Sequence, residues 1–243
     1  MPSQSTADNS SLLTAVDLTR SFGSRRAVDG ISFSLGVGAC LALFGPNGAG
    51  KTTLLKLLAG LLRPTTGSAL VAGAPLAGDG PGRAQLGLIS HNTLLYGALS
   101  ARENVTFAAR LYGLSNVAAA VEDSLRRMSM LDRADTPVRA LSRGMQQRVS
   151  IARAMVHGPR LVLADEPFNG LDESGASALT ALLKELRAAG TTLVIVTHNI
   201  AEGLAVATEA AVMNRGRFAL RETVSSTDPV SFARRYREAI ANG

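Results

Sequence analysis

The 243-residue chain has no tryptophan, only 4% aromatic residues and a single cysteine. One thiol excludes a disulfide within the chain, and the position of Cys40 in an apolar run reads as a small core residue. The few aromatics are not interleaved with basic residues, and the basic residues form no concentrated run. That argues against a surface that stacks bases, and no nucleic-acid partner is expected. The net charge of +6 still favours anionic ligands or a place near anionic lipid. No run of about 18 uncharged apolar residues is present to span a bilayer; the richest stretch, Leu54–Leu62, is interrupted by Lys56. The opening MPSQSTADNSS is polar and lacks the basic-then-apolar form of a secretion signal, so the expected location is cytoplasmic, with any membrane association through a partner. A content of 46% hydrophobic and 18% charged residues is that of a globular chain, long enough for one large domain or a core with a lobe.

What the chain does have is GPNGAGKTT at residues 45–53. The pattern G-x-x-x-x-G-K-[ST] lets glycine backbone wrap closely, so that successive N–H groups point at a phosphate chain. Gly45, Pro46, Asn47, Gly48, Ala49, Gly50, Lys51, Thr52 and Thr53 are therefore the candidate phosphate-binding residues. Lys51 supplies a cation, and the Thr52 hydroxyl is a candidate Mg²⁺ ligand. The apolar run Ala39–Phe44 before the loop reads as a buried strand. Leu54, Leu55, Leu57, Leu58, Leu61 and Leu62 fall at helical spacing after it. Strand, glycine loop and helix together set a phosphate at a helix N-terminus.

Elsewhere the patterning alternates. Strands are expected at Leu13–Val16, around Ile31, Phe33 and Leu35, at Ser68–Ala72 and at Leu86–Ser90. From Ala101 to Met130 the spacing turns helical, and a further helix is expected from about Gly144 to His157. Strands at Arg160–Ala164 and Thr192–Val196 flank a helix at Leu179–Ala188. A short helix at Ala201–Ala207 and a strand pair, Ala210–Asn214 with Phe218–Arg221, close the fold. No internal repeat is present, so one glycine loop means one nucleotide half-site per chain. In LVLADEP, residues 161–167, an apolar strand ends in Asp165 and Glu166. An acidic pair there can hold Mg²⁺ through Asp165, while Glu166 orients or deprotonates an attacking water.

With LSRGMQQR at residues 141–148, the chain resembles the ATP-binding cassette of ABC transporters. LSRGM takes the place of the family's LSGGQ signature, GPNGAGKTT that of Walker A and LVLADEP that of Walker B. NGLD (Asn169–Asp172) matches the D-loop, and VTHN contains the switch histidine, His198. Five motifs stand in the family's order over roughly residues 12–222. The resemblance implies an α/β fold: a phosphate-loop NTPase core with a mainly parallel sheet, an antiparallel β layer and an inserted helical subdomain at about 92–155. Residues 1–10 would be a tail, 11–224 the nucleotide-binding domain and 225–243 a short helical extension.

It further implies Mg²⁺-dependent ATP hydrolysis with Glu166, His198 and Lys51 catalytic. Phe22 stands where the family stacks an aromatic on adenine, and Val28 is placed beside it in the nucleotide site. Ser142 and Gly144 would complete the ATP site of a second cassette in a head-to-tail pair, a homodimer or a pair of different cassettes. Transmembrane permease subunits would be the partners, at the inner face of the cell membrane. SHNTLLYGALSARENVTFAARLYGL, ALSRGMQQR and DEPFNGLD are similar to the ATPase of the haem exporter of cytochrome c maturation, and to other exporters with separate membrane subunits. Two other outputs compete: an ABC ATPase acting on nucleic acid or ribosomes, against which the single cassette without long coiled coils stands, and a non-hydrolysing sensor, against which Glu166 and His198 stand.

Departures from the family pattern carry their own expectations. His91 occupies the place of the Q-loop glutamine; it either contacts Mg²⁺-bound water or lines the joint with a membrane subunit. Arg143 replaces the first signature glycine, and either touches phosphate or faces solvent; Met145 replaces the final glutamine. The tail around Val230, Phe232, Tyr236 and Ile240 reads as an amphipathic helix, packed on its own domain or on lipid or a partner.

Overall fold

The computed structural model describes residues 11–77, 81–90, 92–224 and 228–241. The expected N-terminal tail at 1–10 and the His91 position lie outside them. Two long strands open the chain, β1 (Ser11–Phe22) and β2 (Arg25–Gly36), paired as an antiparallel hairpin. Each reaches well beyond the short apolar stretch that marks it in the sequence, because its outer residues are polar and partly exposed and carry no apolar pattern. β4 (Thr66–Val71) pairs with β1 and β5 (Ala74–Pro75) with β4, giving an antiparallel sheet ordered β2-β1-β4-β5.

The second sheet contains β3 (Cys40–Phe44), β6 (Leu86–Ile89), β7 (Leu161–Asp165), β8 (Thr192–Val196), β9 (Glu209–Asn214) and β10 (Arg217–Thr223). Its order is β10-β9-β3-β8-β7-β6, parallel throughout except for the β9–β10 hairpin. Helices cover it: α1 (Lys51–Leu58), α5 (Glu173–Ala188), α6 (Ile200–Val206) and α7 (Pro229–Ala241). Strands covered on both faces must be apolar on both, which is why β3 and β8 are buried along their whole length. Leu41 and Leu43 point into a core shared with α1 and the antiparallel sheet, while Cys40 joins α5 on the other face. Burial pushes the Cys40 thiol up to about 12, so it is inert packing.

The helical lobe is α2 (Ala101–Leu111), α3 (Val117–Arg127) and α4 (Arg143–Met155), around its own cluster of Val105, Val121, Leu125 and Val149. Helical spacing runs unbroken from Ala101 to Met130, but the chain turns at Gly113 and restarts behind Asn116, whose side chain caps α3. α5 starts at Glu173, six residues before the apolar pattern begins, because Asp172 accepts a hydrogen bond from Gly175 N at 2.8 Å. α7 packs on its own domain: Phe232 is fully buried, with its ring 5.1 Å from that of Phe44. Truncating such a ring to alanine costs about 3–5 kcal/mol. Among the described residues, no helix is long and apolar enough to cross a membrane.

Candidate functional site

β3, β8 and β7 are consecutive in the parallel sheet, and the three catalytic candidates leave from their carboxyl ends. The glycine loop follows β3, Asp165 and Glu166 end β7, and His198 follows β8. Ligands of open α/β sheets bind at this edge.

The loop's path requires glycine. A β-carbon on Gly45 would lie 2.2 Å from the Met213 carbonyl oxygen, and one on Gly50 would lie 2.1 Å from that of Ala27. Both residues have positive φ, +147° and +107°. α1 begins directly after Gly50 with no side-chain cap, so its first N–H groups are available to an anion. Lys51 Nζ donates to the carbonyls of Gly45 at 2.7 Å and Pro46 at 3.0 Å. Partial burial lowers its pKa, and the charges of Glu166 and Asp165 oppose that shift, which puts both carboxylates within Coulombic reach of the ammonium.

Glu166 has a φ of +52°, unusual for a residue with a β-carbon. A conformation of this kind costs about 1–3 kcal/mol and persists where the surroundings enforce it. Here Glu166 N donates to Val196 O at 2.8 Å, and Glu166 O accepts from Asn169 N at 3.1 Å. The turn sends the carboxylate to His198, whose Nδ1 lies 2.9 Å from Oε2 and whose backbone N–H donates to the same oxygen at 3.4 Å. The glutamate is mostly shielded and the histidine mostly exposed, 20% against 72% of the side chain. The histidine can therefore swing while the glutamate is held.

A cavity of about 450 Å³ lies over the loop, lined by Asn47, Gly48, Ala49, Gly50, Lys51, Thr52 and Thr53, with Phe22 at its rim. Phe22 is 50% exposed, with the Arg20 guanidinium 4.7 Å from its ring centroid. Val28 does not belong to this site. It is fully buried in the core, and its neighbour Ala27 lines the cavity instead; adjacent strand residues face opposite sides, and the sequence motif alone does not say which.

Ser142 and Gly144 do not line the cavity either. Ser142 caps α4 by accepting from Met145 N at 3.3 Å, so the helix starts at Arg143, one residue before the expected Gly144. A β-carbon on Gly144 would lie 3.5 Å from the Gly170 carbonyl oxygen, so the signature turn packs against the D-loop. Two polar residues that the motifs do not single out also belong here. Gln147 is buried and donates to Pro167 O at 3.2 Å, tying α4 to the segment just after Glu166. Arg25, at the tip of the β1–β2 hairpin, lines the cavity and donates to Gly48 O at 3.1 Å.

Fold and site together define a phosphate-loop NTPase fold. The family model described as ABC transporter matches residues 28–169. The spermidine/putrescine import ATP-binding protein PotA of Pseudomonas aeruginosa is 38% identical over 209 residues, 85% of this chain and 58% of that protein. The Nod factor export ATP-binding protein I of Ralstonia nicotianae is 33% identical over 209 residues, 85% of this chain and 65% of that protein. The solved structure of cbiO1 from Clostridium perfringens, part of the ABC transporter complex cbiONQ, superposes with a TM-score of 0.80 at 28% identity, covering 94% of this chain and 93% of that one. The chain belongs to the ABC transporter ATP-binding family, and it spans about three-fifths of the length of the import ATPase it matches.

Proposed function

We propose that the chain is the ATP-hydrolysing subunit of an ABC transporter, acting at the inner face of the membrane on separate permease subunits. The observation that carries this reading is the convergence of Lys51, the Asp165–Glu166 pair and His198 on three neighbouring strand ends. ATP would lie with its base on Phe22 and its phosphates on the N–H groups of the loop and α1. Water attacks the γ-phosphorus, the bond to the β-phosphate oxygen breaks, and Glu166 takes the water's proton. His198, oriented by Glu166, meets the γ-phosphate. Thr52 and Asp165 would hold Mg²⁺, which neutralises phosphate charge when bound. Their chemistry fits: a hydroxyl and a carboxylate beside the loop suit a metal that takes its other ligands from phosphate and water, and no cluster of three or more His, Cys, Asp or Glu for a protein-only metal cage exists among the described residues.

An apolar groove supports a membrane-subunit partner. It has a volume of about 280 Å³ between the lobe and the core, lined by Leu61, Leu94, Tyr96, Phe107, Leu111 and Tyr112. Leu111 is 71% exposed there, which suits a short cytoplasmic helix of the permease. Export, with haem as cargo, is supported only by the resemblance of residues 90–114 and of the signature segment. Identity does not separate the directions, since an importer stands at 38% and exporters at 33–35%. The membrane protein that co-purifies with the chain decides it: a polyamine-type permease would overturn export.

Two measurements test the core of the reading. Lys51→Ala should lose phosphate release and weaken ATP binding by at least about tenfold, the scale of a charge-assisted contact. Unchanged affinity removes the foundation. For the paired cassette, Ser142→Cys and Asn47→Cys in one chain should crosslink between chains with ATP and Mg²⁺. Cys40 is buried and will not compete. A crosslink indifferent to nucleotide, or confined within one chain, sinks the head-to-tail pair.

A further inference from the structure

We propose that Arg25 is a second phosphate-binding cation of the nucleotide site, taking the non-transferred phosphates of ATP. This rests on the nucleotide reading above. Arg25 faces Phe22 directly across the β1–β2 hairpin, with only Gly23 and Ser24 between them. The residue that would carry the base and this guanidinium therefore share one hairpin tip. That tip stands over the loop: Arg25 lines the same cavity as Lys51, Thr52 and Thr53, and Nη2 reaches the Gly48 carbonyl at 3.1 Å.

Beyond the tip, β2 is tied to the loop through the β9–β10 turn. Gly216 N donates to Ala49 O at 2.9 Å, and Asp29 N donates to Gly216 O at 2.9 Å. Asp29 in turn pairs with Arg26 at 2.9 Å and Arg217 at 2.7 Å. The neighbouring Arg26 is thus neutralised by a carboxylate, whereas Arg25 has no ion pair among the described residues. A guanidinium carries five donors. One of these is spent on Gly48, and the others have no protein acceptor among the described residues.

The position selects which phosphate. Arg25 is paired across the hairpin with Phe22, which would carry the base, so it sits on the base side of the loop, where the α- and β-phosphates would lie, and contributes charge that ATP and ADP use equally. Its planar fork can keep the Gly48 contact and still offer a pair of N–H groups to phosphate oxygens.

The test is equilibrium binding of ATP, ADP and adenosine to the full chain and to Arg25→Gln and Arg25→Lys. Because Arg25 is exposed, thermal melting without nucleotide should match the parent in both variants, which separates binding from folding. Arg25→Gln should weaken ATP and ADP by the same factor, about five- to twentyfold for a partly exposed charged contact. Adenosine should be unaffected and kcat nearly unchanged while KM rises. Arg25→Lys should recover part of the loss, and the salt dependence of ATP binding should be shallower in the glutamine variant. Unchanged ATP affinity in Arg25→Gln overturns the proposal. So does equal weakening in both variants, which would leave only the Gly48 contact, and so does a loss for ATP that spares ADP. If the parent chain binds no ATP at all, the nucleotide reading has failed instead.

Discussion

The helices of the lobe and the helix of the phosphate loop begin in opposite ways. α2, α3 and α4 each start behind a side chain that accepts a backbone N–H: Ser100 from Glu103, Asn116 from Ala119 and Ser142 from Met145. α5 and α6 follow suit with Asp172 and Asn199. α1 starts at a left-handed glycine and has no such cap. Capping stabilises a helix by about 1 kcal/mol, so α1 forgoes local stability. Its surroundings compensate, since Leu54, Leu55, Leu57 and Leu58 are all buried in the main core. The lobe is built to stay folded; the loop is built to hold an anion. Strain is not confined to the loop half: Glu166 beside the loop and Ser129 after α3 are both held at positive φ.

The largest test of that division is Glu166→Gln. The backbone hydrogen bonds of the residue to Val196 and Asn169 do not involve its carboxylate, so the turn should survive. Removing the base should slow phosphate release by about 10²-fold or more while ATP affinity is kept. A wild-type rate would remove Glu166 from the chemistry and leave its strain without a purpose.

The nucleotide half of the molecule is legible in the sequence because its signals are local. An apolar run, a glycine loop and an acidic pair each lie within ten residues. The mainly parallel sheet is implied by the family resemblance, and strands such as Leu193–Val196, apolar at every position, are what a sheet covered on both faces needs. The rest is tertiary. Arg25 and Gln147 gain their roles from partners 23 and 20 residues away, Gly48 and Pro167. The facing of Val28 depends on irregularities in the β1–β2 pairing between Leu18 and Ser21, which shift the register and leave no mark in composition. The start of α5 is hidden because Glu173–Ala178 is small and polar, although Asp172 already supplies the cap.

A middle-sized effect should appear where lobe meets core. The Tyr112 ring stacks on His157 at 3.6 Å and 4°, and His157 Nε2 lies 3.2 Å from Leu86 O on β6. Nδ1 is buried without a partner among the described residues. Burial lowers the His157 pKa, against the smaller upward pull of the Leu86 hydrogen bond. The unfolded chain, with an ordinary histidine near 6.5, then binds the proton at higher pH than the folded one. Stability from this residue is complete above that value and is lost as pH falls below it towards the folded pKa. His157→Phe keeps an aromatic partner for Tyr112 and removes the titration. Urea melts between about pH 5 and 8 should show a shallower acid loss in the variant. Parallel curves would mean that protonation of His157 costs the fold nothing.

The smallest effect compares two serines with the same local job. Ser100 Oγ accepts from Glu103 N at 3.1 Å, and Glu103 Oε2 accepts from Ser100 N at 2.7 Å, a reciprocal capping box. Ser100→Ala should cost about 1 kcal/mol, which in a domain of this size lowers the melting temperature by roughly 2–4 °C. Ser100 lies within the lobe and outside the nucleotide cavity, so ATP hydrolysis at saturating substrate should not change. Ser142→Ala removes the same kind of bond from α4, and its melting temperature should fall by a similar amount. The two variants should part company in the ATPase assay. If Ser142 completes a second cassette's site, its loss slows turnover, whereas the loss of Ser100 leaves turnover intact. Equal turnover in both variants would reduce Ser142 to an ordinary helix cap and place the whole of the site in the loop half of one chain.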